Sequence, residues 1–132
     1  LEKETITKMK NHKYIQLAGI LGALAVGIGA FGAHGLQPLL EVNARTETFE
    51  TAVKYHFYHA VAILVLAVWL NIQPERKFLK RVIWSLLLGI VIFSGSLYIL
   101  ALSGIAWFGA ITPIGGVAFI YGWLSLIWYS KN

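Results

Sequence analysis

The 132-residue sequence contains no cysteine. Disulfide frameworks, thiolate metal sites and cysteine nucleophiles are therefore excluded. Charge is scarce as well. Asp, Glu, Lys and Arg together make up 13% of the chain, against roughly 25% in an average soluble domain. The familiar catalytic patterns are missing too: there is no HExxH and no GxSxG, and "SGS" at 94–96 lacks the flanks of a serine nucleophile. "GAFGAHG" at 29–35 is no phosphate loop, because no strand precedes it and no Lys-Ser/Thr follows. Low-complexity segments and usable internal repeats are also absent. No reaction can be read from these residues.

Apolar side chains, in contrast, make up 58% of the chain. They gather in four runs at about 14–33, 50–72, 82–102 and 106–129. A bilayer takes about 20 apolar residues to cross as a helix, and each run is long enough at about 1.5 Å rise per residue. The runs do not alternate, so membrane-barrel strands are excluded. The sequence predicts an all-α, four-span transmembrane bundle over 14–132, preceded by a polar tail at 1–13. The first run has the basic start of a signal peptide but exceeds a typical h-region, so it is read as a retained span. Met9 stands just ahead of "KNHKYIQLAGI", and residues 1–8 are expected to be added or upstream sequence.

Residues 34–48 read as a loop broken by Gly35 and Pro38, with Thr46 or Thr48 able to cap the helix that follows. Residues 73–81 form a basic link, and "SGI" at 103–105 a tight hairpin. Lys3, Lys8, Lys10, Lys13, Arg76, Lys77, Lys80, Arg81 and Lys131 fall on one side of an even-span protein. Only Arg45 and Lys54 fall on the other. The positive-inside rule then places both termini and the 73–81 link in the cytoplasm. The net charge of +5 follows from that asymmetry and does not point to nucleic acid.

"KYHFYHA" at 54–60 is the most unusual stretch, because it carries three ionisable groups into an apolar run. Lys54 has Glu50 four residues ahead, the favourable order for a helical ion pair. His56 and His59 are i,i+3 neighbours and can face the bundle together. Counting rise per residue brings His34, Ser94, Ser96 and Thr112 toward the same half of the membrane. These six residues, His34, His56, His59, Ser94, Ser96 and Thr112, form the candidate polar pocket.

Three readings of the pocket stand open. The histidines are neutral glue, hydrogen-bonded across spans to Ser94, Ser96 or Thr112. Alternatively, His34, His56 and His59 supply ligands to a metal or to haem. In the third reading they line a proton or small-ligand pocket. Gly22, Ala25, Gly29 and Gly32 recur at helical spacing on the first span and read as a close helix-packing face. Pro113 with Gly115 and Gly116 is expected to kink or loosen the fourth span.

Four stretches carry a resemblance: "GAFGAHGL" at 29–36, "TFETAVKYHFYHA" at 48–60, "FSGSLYIL" at 93–100 and "ITPIGG" at 111–116. Together they resemble a family of small four-helix membrane proteins known as domain of unknown function 423, which is similar to eukaryotic transmembrane protein 256. The resemblance implies a multi-pass protein of the bacterial inner membrane and supplies no activity or catalytic residue. The leading expectation is a non-catalytic accessory or assembly partner, with no cofactor. Its partners are the lipid bilayer and other membrane proteins or a second copy, not nucleic acid. The alternative is a metal-, haem- or small-ligand-binding protein built on the histidines.

Overall fold

Inside hydrocarbon a backbone has no water to bond, so a long apolar run closes its hydrogen bonds along itself as a helix. The structure, a computed structural model, describes residues 1–131 and, at residues 7–10, the backbone only. The described residues form helices and turns without strands. The helices are α1 (Glu2–His34), α2 (Gln37–Val42), α3 (Thr46–Ile72), α4 (Phe78–Gly89), α5 (Gly95–Ser103) and α6 (Thr112–Tyr129). A π-turn, Ile90–Ser94, joins α4 to α5, and a 3-10 turn, Ala106–Ala110, leads into α6. Four helical stretches are long and apolar enough to cross a membrane: Glu2–His34, Thr46–Ile72, Phe78–Ser103 and Ala106–Tyr129.

Local chemistry accounts for several boundaries. Pro38 and Pro113 sit in the first turns of α2 and α6, where a missing N–H costs nothing and the fixed φ already suits a helix. α5 ends at Gly104, whose φ of 72° is left-handed and whose N–H bonds back to the Leu100 carbonyl. Such a cap favours glycine. The polar tail is helical and continuous with the first span. At 33 residues, α1 is roughly 50 Å long and outreaches the roughly 30 Å hydrocarbon layer.

Two details differ from the sequence reading. The 34–48 loop contains α2, held because Leu40 is buried against Phe49 and Ala101. α3 starts at Thr46 with no side-chain cap, so neither Thr46 nor Thr48 plays the expected capping role.

The spans pack in chain order. α1 lies on α3, α3 lies on the α4–α5 span, and that span lies on α6. In their apolar windows, 39% of the second span and 44% of the third are buried, against 22% of the first and 28% of the fourth. The second and third spans are therefore central, and α1 and α6 flank them. The largest core cluster joins Ile63, Leu66 and Leu70 of α3 to Leu79, Ile83 and Leu86 of α4. Outward faces carry exposed Ile20, Val26, Val65, Ile120 and Ile127. That apolar exterior is what a lipid solvent requires.

Close helix approach is set by glycines, only partly the expected ones. Ala25 is buried, and Gly32 lies under the Phe49 ring, where an added Cβ would overlap it. At Gly29 a Cβ would meet Val53 Cγ1 at 3.0 Å. Gly22 is the exception: a Cβ there would meet nothing within 4 Å, because it sits beside the contact stripe and not on it. The approach to a neighbouring backbone is on the fourth span. A Cβ at Gly115 would overlap the backbone of Phe93, in the π-turn. Gly89 faces the Phe119 ring, and Gly122 faces Leu86. Gly115 thus acts as a contact point for α6.

Candidate functional site

α3 carries both histidines inward, His56 at 4% exposure and His59 at 5%. One turn of helix separates them, yet they face different neighbours. The His59 Nδ1–H donates to the Tyr55 carbonyl one turn back, at 2.7 Å. Its Nε2 accepts from the Trp123 indole N–H of α6 at 3.1 Å. Those two bonds fix the neutral tautomer with the proton on Nδ1. The His59 ring also stacks on Phe119, with centroids 3.6 Å apart. Phe93 of the π-turn packs against Phe119 at 5.4 Å and against Tyr55 at 4.7 Å. His59 is therefore the centre of an aromatic joint between α3, the π-turn and α6.

His56 turns toward α1 and α5. Its Nδ1 is 2.9 Å from the Tyr98 hydroxyl, and the backbone at Leu21 of α1 lies beside the ring. Its Nε2 is buried without a hydrogen-bond partner.

The serines and the threonine also bond across spans, each at its own place. Ser94 Oγ donates to the Ala52 carbonyl of α3 at 2.8 Å. Ser96 and Thr112 share a hydroxyl bond of 2.7 Å between the third and fourth spans. Ser85 Oγ donates to the Ala118 carbonyl of α6 at 2.7 Å. At the α2 end, the Asn43 amide donates to the carbonyls of Ala101 and Leu102 at 3.0 and 3.1 Å. In an apolar solvent such bonds tie helices together, each worth about 0.6 kcal/mol on average and up to about 1.7.

The six pocket residues therefore do not converge on one cavity. His34 is exposed at the end of α1, clear of the pair on α3. His59 bonds Trp123, not Ser94, Ser96 or Thr112. Only Ser96 and Thr112 bond each other. Among the described residues, no three His, Asp or Glu side chains gather as a metal-ligand set; His34, His56 and His59 face apart.

Tyr98, Trp123 and Ser85 went unread in the sequence, although two signals were present. Tyr98 lies one turn beyond Ser94 on the same span. Trp123 is an indole well inside a span, and its N–H requires an acceptor there. Chemically, the arrangement joins helices through a belt of separate polar bonds and leaves His56 Nε2 buried without a partner, as is the Asn11 amide of α1.

Comparison with known proteins agrees with this architecture. The family described as "Protein of unknown function (DUF423)" matches residues 28–116. The Bacillus subtilis UPF0382 membrane protein YwdK is 43% identical over 114 residues, covering 86% of this chain and 92% of that protein. A Haemophilus influenzae UPF0382 membrane protein is 44% identical over 125 residues, covering 92% and 95%. The Escherichia coli UPF0382 inner membrane protein YgdD is 40% identical over 113 residues, covering 83% and 82%. No solved structure matches. With matches of this extent to an apolar four-helix chain, the protein belongs to the DUF423 family of integral membrane proteins.

Proposed function

We propose that the protein is a non-catalytic accessory or assembly partner in the bacterial inner membrane, with both termini and the 73–81 link on the cytoplasmic side. The observation that carries this reading is the unequal burial of the spans. α1 and α6 bury only 22% and 28% of their apolar windows within the chain, which leaves two broad helix faces for other membrane helices. The links are short, so a partner meets the protein mainly inside the bilayer. The name of the Escherichia coli relative includes the inner membrane, and nine basic residues against two support the orientation. His59, Ser94, Ser96 and Thr112 are engaged in bonds within the fold, which suits structural glue.

One observation favours the alternative. The spare His56 Nε2 is the kind of group that binds a small ligand. A single experiment separates the two readings. The tagged full chain is extracted from native membranes in mild detergent and analysed for stoichiometric protein partners, metal content and optical spectrum. The proposal expects a stoichiometric membrane-protein partner or a second copy. A stoichiometric metal or haem signal that disappears in His56→Ala would overturn it in favour of ligand binding.

A further inference from the structure

The α2 end of the bundle carries a groove unrelated to the histidines. It lies between the end of α1, α2 and the start of α3, with a volume of about 360 Å³. Small-molecule sites occupy about 300–1,000 Å³. Its floor is Gly29, Gly32, Leu40, Phe49 and Val53. Leu40 and Phe49 are fixed in a core cluster with Ala101, so the floor is rigid. Gln37 and Thr46 close the water end. Glu50 and Lys54 stand on the wall, exposed and one turn apart.

The order of these groups along the membrane normal is the informative feature. Lys54 lies about 12 Å along α3 from Thr46 and Glu50 about 6 Å. The cation is therefore nearer the hydrocarbon, and the anion nearer water. A zwitterionic phospholipid has the complementary order: its phosphate is attached next to the chains, and its ammonium projects toward water. An anionic headgroup would place negative charge against Glu50. A choline headgroup has no N–H to donate, whereas an ethanolamine ammonium has three. We infer that this groove binds the headgroup of a phosphatidylethanolamine-type lipid, with Lys54 on the phosphate and Glu50 on the ammonium. The apolar floor takes the glycerol and the start of an acyl chain.

Native mass spectrometry of the full chain, released from detergent with added dioleoyl lipids, tests this. Phosphatidylethanolamine is expected to remain as a single adduct more often than phosphatidylcholine or phosphatidylglycerol. Lys54→Gln is expected to lower that adduct at least about fivefold, as the loss of one charge-assisted contact implies. Glu50→Gln is expected to reverse the preference toward phosphatidylglycerol. Arg76→Gln, at the other end of the bundle, leaves the adduct unchanged. Both groove residues are exposed, and circular dichroism confirms that the variants stay folded. Equal retention of all three lipids, or no effect of either groove variant, would overturn the inference. Displacement of the adduct by an equal concentration of free phosphoethanolamine would overturn the lipid as its source.

Discussion

His59 shows how a single polar residue is made compatible with hydrocarbon. Both of its ring nitrogens are bonded, and one ring face is stacked. His56 has one nitrogen bonded and one orphaned. Removing His59 strands the Trp123 N–H and opens a gap beside Phe119, whereas removing His56 strands only the Tyr98 hydroxyl. His59→Ala is therefore expected to destabilise the bundle by about 2–3 kcal/mol. His56→Ala is expected to cost about 1 kcal/mol. Equilibrium unfolding of both variants with sodium dodecyl sulfate in mixed micelles measures the difference, and equal losses would remove His59 from its central place. The histidine spacing was legible in the sequence, because two ionisable groups in an apolar run must face protein. The partners were not. Tyr98 and Trp123 read as apolar in a hydropathy pattern, and only the packing of distant spans places their polar atoms.

The helices themselves were legible because backbone satisfaction in lipid leaves little choice of structure. What the runs concealed was the irregularity inside them. The π-turn at Ile90–Ser94 produces no break in hydropathy. It inserts one residue's worth of slack and presents the Phe93 backbone to α6, where only Gly115 fits. The sequence reading took Gly115 as a kink because a glycine after Pro113 has that local meaning. Its role depends on a residue 22 positions away in sequence. Gly22 misled in the opposite direction, since helical spacing alone does not reveal which edge of a small-residue stripe touches a neighbour. Gly115→Ala is expected to cost about 3 kcal/mol, because backbone gives way less readily than a side chain. Gly22→Ala is expected to be neutral or stabilising by up to about 1 kcal/mol through helix propensity. Thermal unfolding midpoints in one detergent rank the two, and the reverse order would contradict the packing described.

At the scale of the whole molecule, two central spans carry two flanking ones, and the polar belt fastens neighbouring spans. Four apolar runs and their short links were enough to read the four spans themselves. The order of packing was not legible, because each run is apolar on every side and hydropathy does not say which face meets protein. The leaflet that holds the α2 end, and with it the lipid groove, depends on the orientation of the chain. Cysteine labelling measures it directly, helped by the absence of native cysteine. Single cysteines are placed at Gln73, Lys131 and the strongly exposed Val42 and treated in intact cells with a membrane-impermeant thiol reagent. The account expects Val42→Cys to react, with Gln73→Cys and Lys131→Cys reacting only after the membrane is opened. Labelling of Gln73→Cys or Lys131→Cys from outside, with Val42→Cys protected, would contradict it.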